Sequence, residues 1–349
     1  MRIAQVSPLY ESVPPKLYGG TERVVSYLTE ALVQAGHQVV LFASGDSTTS
    51  AELVAPCKRA LRLDPTCKDA LAYHLIMLDQ VFRRAAEFDL IHFHVDYLHF
   101  PLSSRSSIPH VTTLHGRLDL SHLPAIYHQF PGMPVVSISN AQRAPLPFAR
   151  WQATVYHGLP LDLLRPSEEP GAYLAFLGRI APEKRVDLAI EIAKRAGIPL
   201  RIAAKIDAAD REYFAERIKP LLDHPLVEYI GEIGEREKSE FLGGARAMLF
   251  PIDWPEPFGL AMIESMACGT PVIAFRRGSV PEVVDHGVTG YIVNSVPEAV
   301  KAVERIDRLS RRRCRQVFEQ RFSAERMARD YVAVYERLRL RNDQEVGAA

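Results

Sequence analysis

The sequence has few cysteines and no net charge. Its 349 residues include four cysteines, and none forms a Cys-x-x-Cys pair or has a histidine at metal-ligand spacing. We therefore expect reduced thiols, no structural zinc and a cytoplasmic protein. Lysine and arginine total 42, as do aspartate and glutamate, so no net field draws the chain toward nucleic acid. Any anionic ligand must be held by local groups.

The sequence also lacks long apolar runs and a dinucleotide-binding motif. No stretch approaches the roughly 18 uninterrupted apolar residues of a membrane span, and Met1 leads directly into a strand pattern without a basic and then apolar leader. The first strand-to-helix turn, Tyr18 to Glu22, lacks the GxGxxG pattern of nicotinamide-dependent dehydrogenases. We expect neither a membrane span nor a bound cofactor.

The length and the element pattern predict two α/β domains. A single hydrophobic core rarely serves more than roughly 250–300 residues, and strand patterns alternate with helical ones in both halves, as in parallel sheets. A polar stretch from Leu161 to Gly171 reads as a linker. The predicted parts are a first domain over 1–162, a second over 163–322, a helix over 323–340 and a frayed tail over 341–349.

Apolar spacing predicts the individual elements. The helix after the first strand shows an apolar face of Val24, Tyr27, Leu28, Ala31 and Leu32, spaced three and four apart. The predicted strands are Arg2 to Val6, Gln38 to Ala43, Leu90 to Phe93, His110 to Leu114, Val135 to Ile138, Tyr173 to Leu177, Leu200 to Ala204, Val227 to Ile230, Ala247 to Phe250 and Pro271 to Phe275. The predicted helices of the second half are Val186 to Ala196, Lys238 to Ala245 and Leu260 to Ala267.

Two carboxylates flank the start of a helix in the second half. They are Glu256 and Glu264, in the segment Glu-Pro-Phe-Gly-Leu-Ala-Met-Ile-Glu. Gly259 lets the backbone approach a ligand, and N–H groups at the helix start favour an anion. Ionised carboxylates are strong acceptors for sugar hydroxyls. The segment therefore suits a sugar diphosphate.

Cations and glycines follow the strands that the pattern predicts. Arg179 and Lys184 come just after the strand that begins the second half, where open α/β sheets bind ligands. They can neutralise a diphosphate without a metal ion. Gly19 and Gly20 lie at the corresponding turn of the first half, where main-chain amides can approach phosphate oxygens.

In their order along the chain, these residues resemble the family 4 retaining glycosyltransferases. The resemblance rests on Gly19-Gly20, Gly178-Arg179, Lys184, the Glu256/Glu264 pair, Gly269 to Ala274 and Gly278 to Glu282. It implies a GT-B fold, in which two Rossmann-like domains face each other across a cleft and a C-terminal helix crosses back to the first domain.

The resemblance also implies roles for individual residues. Glu256 would hold hydroxyls of the donor sugar and Glu264 the ribose, while Arg179 and Lys184 would hold the diphosphate. Phe258, Gly259 and Leu260 would surround the sugar and phosphate. His115, in Thr-Leu-His-Gly, matches a histidine that the family places near the donor sugar. One departure is His157, where members often carry asparagine before the glycine.

Other clusters favour ordinary structural roles. His92 and His94 fall on one strand face with no ligand-spaced partner except Asp96, so we predict no metal site. The run from Arg311 to Arg313 is typical of a solvated helix face, with weak peripheral membrane contact as an alternative.

The sequence thus predicts an enzyme that moves a hexose from a nucleoside diphosphate sugar to an unknown acceptor hydroxyl. Glycosyltransferases that need a divalent ion commonly carry an Asp-x-Asp pair, which this chain lacks, so we expect a metal-independent reaction. UDP-glucose is the first choice of donor, ahead of other UDP-hexoses and GDP-mannose. Two alternatives stay open: a nucleotide-sugar epimerase of similar fold, and a noncatalytic sensor of sugar nucleotides.

Overall fold

The computed structural model of the chain describes residues 1–16, 19–169 and 171–347. By its internal contacts the chain forms two compact units, one of Met1–Pro160 with the residues from Ala324 onward, and one of Leu161–Ser323. The ranges expected from the sequence, 1–162 and 163–322, stay predictions of the functional domains.

The first unit is built on a parallel sheet. Among the described residues, seven strands run in the order β3-β2-β1-β4-β5-β6-β7, and each pairs with its neighbour in parallel. The strands are β1 Arg2–Val6, β2 Gln38–Phe42, β3 Glu52–Val54, β4 Leu90–Phe93, β5 His110–Thr113, β6 Pro134–Ser137 and β7 Arg150–Thr154. The helices are α1 Gly20–Gln34, α2 Ala70–Arg83, α3 Phe100–Ser103 and α4 Leu123–Gln129.

The second unit repeats this design. Its described residues form six parallel strands in the order β10-β9-β8-β11-β12-β13. The strands are β8 Tyr173–Arg179, β9 Leu200–Lys205, β10 Val227–Gly231, β11 Ala245–Phe250, β12 Val272–Phe275 and β13 Gly290–Val293. The helices are α5 Val186–Ala196, α6 Arg211–Tyr213, α7 Glu235–Gly243, α8 Leu260–Ala267, α9 Val280–Val283, α10 Val296–Glu304 and α11 Arg311–Arg321.

The prediction of two α/β units with parallel sheets is confirmed. Helices α5 and α8 have the predicted bounds, and the predicted face of α1 is buried. Helix α7 was placed wrongly by about one turn: it begins at Glu235 and ends at Gly243, because the strand β11 already starts at Ala245. The strands β3, β7 and β13 were not predicted from the sequence.

The C-terminal helix α12, Ala324–Gly347, packs on the first unit against α1 and β5. Its buried stripe is the predicted one, Met327, Tyr331, Val334, Tyr335 and Leu338. The helix continues to Gly347, so residues 341–347 are helical where fraying was expected. Residues 348 and 349 lie outside the described part of the chain.

Hydropathy along these helices is too low for a membrane span. In the described residues, no helix is both long and apolar enough to cross a bilayer. The cytoplasmic location stays a prediction.

The burial of Arg311 contradicts the prediction that the run from Arg311 to Arg313 is a solvated helix face. The guanidinium of Arg311 donates to the carbonyl oxygens of Ser167, Ala245 and Gly243 at 2.7–2.8 Å. Only Arg312 and Arg313 of the run are exposed. The guanidinium, a planar group with five N–H donors, thus links Ala245 at the start of β11 to Ser167 near the beginning of the second unit.

These bonds predict that Arg311 stabilises the fold more than its exposed neighbour Arg312 does. We expect Arg311→Ala to lower the free energy of unfolding of the second unit by about 3 kcal/mol, because buried carbonyls lose a charged donor. Arg312→Ala should change it by less than about 0.5 kcal/mol. Urea unfolding followed by Trp254 fluorescence, with the other tryptophan removed by Trp151→Phe, measures both. Equal losses would contradict the assignment.

Candidate active site

The candidate site of the second unit lies where the strand order reverses. Strands β8 and β11 are neighbours, but the chain continues from β8 toward β9 on one side and from β11 toward β12 on the other. The connections after β8 and β11 therefore run to opposite sides of the sheet, and the carboxyl ends of the strands at such a reversal are where open α/β sheets bind ligands. Arg179 ends β8, and the loop after β11 carries Glu256.

Lys184 and Glu256 join these two loops. The ammonium group Nζ of Lys184 lies 2.6 Å from Oε2 of Glu256, and the indole Nε1 of Trp254 donates to the same oxygen at 3.0 Å. Lys184 also lies 5.0 Å from the centre of the Trp254 ring, a cation–π contact. Both bonds go to Oε2, so Oε1 of Glu256 takes part in neither of them.

Glycines shape the loop that carries Glu256. Gly259 has φ +82° and precedes α8, and a Cβ there would lie 2.7 Å from the side chain of Met262. Gly278 has φ +49°, and a Cβ there would overlap the backbone N and O of Glu256. No side chain fits at that position. The backbone of residue 278 thus lies directly under the Glu256 loop.

Ser279 continues this support. Its backbone N–H donates to the carbonyl of Glu256 at 3.0 Å, and its hydroxyl donates to the carbonyl of Phe258 at 2.8 Å. Phe258 is buried, and Leu260 is the first residue of α8. Two hydrogen bonds from Ser279 therefore hold the backbone of this segment, and the bond from Lys184 holds the carboxylate of Glu256.

Glu264 is paired with a lysine that the sequence did not single out. Lys238 of α7 donates to Oε1 of Glu264 at 2.6 Å, and both side chains are buried. Glu235 lies 3.5 Å from the same ammonium group. Helix α7 thus supplies the counter-charge for a carboxylate on the second turn of α8.

Arg179 lies among carboxylates. It bonds Glu183 at 2.6 Å and Asp207 at 3.2 Å, and Asp210 lies 3.9 Å away. Burial acts to raise the pKa of Asp207, but the bonds from Lys205 and Arg179 outweigh it and hold that pKa below its ordinary value. The two cations predicted for one diphosphate are therefore in different settings, Lys184 beside one carboxylate and Arg179 beside three.

In the first unit, Gly19 and Gly20 open helix α1. Gly19 is buried and precedes the helix, and Gly20 is its first residue. A Cβ on Gly19 would lie 2.8 Å from Pro15, so the turn is too tight for a side chain. Glu22 in the first turn is buried, and burial raises the pKa of its carboxyl group. Tyr18, part of the predicted motif, lies outside the described residues.

His115 is partly exposed and adjoins two buried histidines, His94 and His157, at the carboxyl edge of the first sheet. Its Nε2 is 2.8 Å from Nδ1 of His94, and its ring stacks on that of His157 at 5.2 Å between centres. Burial lowers the pKa of His115 to about 3. His92, named with His94 as a cluster in the sequence, bonds Thr113 and Tyr335 at 2.7 Å each. Its two ring nitrogens are used in hydrogen bonds.

Sequence reasoning missed several residues that shape these sites. Trp254 stands two positions before Glu256, and its proximity in the sequence was a usable signal. Lys238 carried no signal, because its partner Glu264 lies 26 positions away on another helix. Gly278 and Ser279 entered only through the resemblance, and nothing local showed that they lie under Glu256.

The contact between Gly278 and Glu256 yields a prediction. Gly278→Ala should lower the free energy of unfolding by roughly 2–4 kcal/mol, because overpacking against backbone adds to the strain of a positive φ. It should also shift the fluorescence of Trp254, since the loop must move. Urea titrations and emission spectra in the Trp151→Phe background measure both effects.

Gly287 is the matched control. It has φ +79°, and a Cβ there would meet nothing within 4 Å beyond its chain neighbours, so Gly287→Ala carries the backbone strain alone, roughly 1–2 kcal/mol. An unchanged Trp254 spectrum in Gly278→Ala, or equal losses in the two variants, would show that the close approach does not position the loop.

The chain matches two protein-family models that together span most of its length. Glycosyltransferase Family 4 matches residues 18–165, and Glycosyl transferases group 1 matches residues 165–327. The glycogen synthase of Mycobacterium tuberculosis (strain ATCC 25618 / H37Rv) is 25% identical, over 95% of this chain and 95% of that protein.

Solved structures resemble the whole chain. Sucrose-phosphate synthase from Thermosynechococcus elongatus has a TM-score of 0.78 at 20% identity, covering 97% of this chain and 99% of that one. Anabaena HepE in complex with UDP-glucose has a TM-score of 0.72 at 18% identity, covering 97% and 99%. The likeness to these structures shows the fold, and the family models show the activity. The chain belongs to the family 4 glycosyltransferases and has their two-domain GT-B fold.

Proposed function

We propose that this glycosyltransferase moves a hexose from a nucleoside diphosphate sugar to an acceptor hydroxyl, with retention of anomeric configuration and without a metal ion. The second unit binds the donor and the first binds the acceptor. The observation that carries the proposal is the arrangement of Lys184, Trp254 and Glu256 at the point where the strand order reverses.

Glu256 is suited to hold the hydroxyls of the donor sugar. Lys184 and Trp254 fix its orientation through Oε2, and Oε1 has lone pairs to accept hydroxyl protons. A carboxylate held in this way needs no reorganisation when substrate binds, which is the condition for effective electrostatic catalysis.

Lys184 is suited to meet the diphosphate. An ammonium group has three N–H donors, so Lys184 can keep its bond to Glu256 and still donate to a phosphate oxygen. The N–H groups at the start of α8, beside Gly259, add partial positive charge for the same anion. Arg179 is assigned a weaker share, because three carboxylates already surround its guanidinium.

Glu264 is assigned to the ribose of the nucleotide. It lies on the second turn of α8, in the helix that begins at Gly259, and Lys238 holds one of its oxygens. Phe258 and Leu260 line the sugar and phosphate between the two carboxylates. In the first unit, the amides of Gly19 and Gly20 and the ring of His115 are assigned to the donor as well.

UDP-glucose is the preferred donor in this proposal. HepE, which shares the fold, was crystallised with UDP-glucose, and this supports a uridine nucleotide. In the proposed step, the acceptor oxygen attacks the anomeric carbon from the face that the phosphate leaves. The bond to the phosphate oxygen breaks, and the acceptor proton passes to that leaving phosphate, so no protein nucleophile is needed.

Retention is the first outcome to test. We expect the wild-type protein, given UDP-glucose and a panel of sugar and glycoside acceptors, to form α-linked glucosides, the configuration of the donor. Proton NMR of the first product formed, read before any slow equilibration, decides it. A β-linked product would overturn the retaining mechanism, and turnover of UDP-glucose to another UDP-sugar without an acceptor would identify an epimerase.

The proposed interaction of Lys184 with the departing diphosphate gives a second test. We expect transfer to persist in excess EDTA, and Lys184→Ala to lose roughly 100- to 1000-fold in kcat, because charge develops on the departing diphosphate. Donor affinity, measured by calorimetry, should fall less than kcat, since the charge is greatest in the transition state.

Two companion variants sharpen this test. Lys194→Ala removes an exposed lysine from the neighbouring helix α5 and should leave kcat unchanged. Lys184→Ala combined with Glu256→Gln removes the carboxylate that the single variant leaves without its lysine, and should recover folding stability without recovering kcat. Activity that EDTA abolishes and manganese restores would refute the metal-independent mechanism.

A further inference from the structure

A cavity of about 690 Å³ lies in the second unit, between α5 and the helical segment that follows β9. This volume is typical of sites for small molecules. The segment after β9 contributes Tyr213, Arg217 and Leu221, which are four positions apart and so share one helix face. Of the described residues that line the cavity, none is assigned to the donor. Helix α5 and the residue before it contribute Arg185, Asp187, Ile190, Glu191, Lys194 and Arg195.

Both carboxylates of the lining already have partners. The guanidinium of Arg185 donates to Asp187 from Nη2 at 3.0 Å and from Nε at 3.1 Å, and Arg195 donates to Glu191 at 3.2 Å. A guanidinium group has five N–H donors, so these bonds use only part of what each arginine offers. The carboxylates are therefore offset within the lining, and both arginines can still donate to a ligand.

Lys194 and Arg217 add positive charge that the lining does not offset. Neither side chain takes part in an ion pair within the described part of the chain. Four cationic and two anionic side chains line the cavity, which leaves two cations in excess. A phosphate monoester carries roughly −1.5 to −2 charge at pH 7, so it matches this excess. Ile190, Tyr213 and Leu221 add apolar surface, which suits the organic part of such a molecule.

Unusual backbone lies on both sides of the cavity. Arg185 has φ +53°, in the left-handed region that disfavours residues with a Cβ, and strained backbone of this kind clusters at ligand sites. Across the cavity, Phe214–Ile218 forms one π-helical turn, a feature that frequently marks functional sites in helices. Arg217 stands on that turn. Two independent backbone features therefore flank the same group of cations.

Arg185 also connects the cavity with the loop that carries Glu256. Its Nη1 lies 3.3 Å from Oδ2 of Asp253, the residue before Trp254. The same guanidinium thus holds Asp187 at the cavity and Asp253 at the loop. A phosphate oxygen that accepts from Arg185 competes with Asp253 for its donors, and so weakens one support of the loop.

We infer that this cavity is an effector site, which binds a small organic phosphate monoester and lowers donor affinity by releasing Asp253 from Arg185. Binding at the cavity is independent of the proposed function, and only the effect on the donor rests on it. Because Lys194 and Arg217 lie outside the residues assigned to the donor, their removal should leave transfer unchanged while the effector is absent. Donor and effector must weaken each other's binding by the same factor.

Calorimetry of the whole chain, with glycerol 3-phosphate as the probe, tests the binding. We expect the probe to bind and glycerol at the same concentration not to bind, because the phosphate group provides the charge. Inorganic phosphate should bind more weakly, since it has no organic part to cover Ile190 and Tyr213. No binding of glycerol 3-phosphate, or equal affinity for inorganic phosphate, would overturn the assignment of an organic phosphate.

Arg217→Ala locates the bound probe. We expect the affinity for glycerol 3-phosphate to fall roughly 5- to 10-fold, because a charge-assisted hydrogen bond is lost. Arg211→Ala is the matched control, since Arg211 is an exposed arginine of the same segment that does not line the cavity, and it should bind the probe as the wild type does. Equal losses in the two variants would show that the probe senses only general surface charge. A loss of binding in Lys184→Ala would place the probe among the donor residues, and either result refutes the site.

Trp254 fluorescence, in the Trp151→Phe background, then tests the coupling. The probe should shift the emission and raise the Kd of UDP-glucose roughly 5-fold. Asp253→Ala should keep probe binding and lose both effects, whereas Arg277→Ala, which removes the other arginine at Asp253, should keep them. Probe binding without either effect in the wild type would refute the effector role. If UDP-glucose does not bind, the proposed donor is wrong, and the Trp254 and Arg217 measurements still decide this inference.

Discussion

The bond between Lys184 and Glu256 is the interaction on which the candidate site of the second unit depends. It joins the loop after β8 to the loop after β11 at 2.6 Å, and these loops are neighbours because β8 and β11 are adjacent strands of the sheet. Gly278 and Ser279 support the second loop from below. The strand order, the backbone of Gly278 and Ser279, and the ion pair therefore act together to position Glu256.

Pairing is the common feature of the charged groups in this unit. Glu256 is bonded to Lys184, Glu264 to Lys238, and Arg179 to Glu183 and Asp207. Removing water from a carboxylate is costly, and removing one partner of a buried pair leaves a charge that nothing offsets. The lysines therefore offset the cost of taking these two carboxylates out of water.

The first unit handles polarity differently. Burial lowers the pKa of His92, His94, His99 and His115, and hydrogen bonds link these histidines to their neighbours. Two tyrosines of the C-terminal helix complete the network, Tyr335 at His92 and Tyr331 at Thr113. The helix is thereby attached to the sheet by specific polar bonds as well as by its apolar stripe. One unit contains paired charges, and the other contains a network of hydrogen bonds among histidine, threonine and tyrosine side chains.

The sequence by itself determined the alternation of strands and helices, the two-unit organisation and the segments that carry the site. These follow from local patterns: period-3.6 spacing in α1, α5 and α8, buried apolar runs in the central strands, and glycine where the chain turns before α8. It also predicted Glu256, Glu264 and Lys184 as site residues, because motif position relative to a strand end is a local property. Only the tertiary structure decided which charges meet, that Arg311 is buried, that Gly278 lies under Glu256, and that His94 is hydrogen-bonded to Gln5 and His115. Each of these joins residues far apart in the chain, and such contacts depend on strand order and helix packing, which no local period encodes.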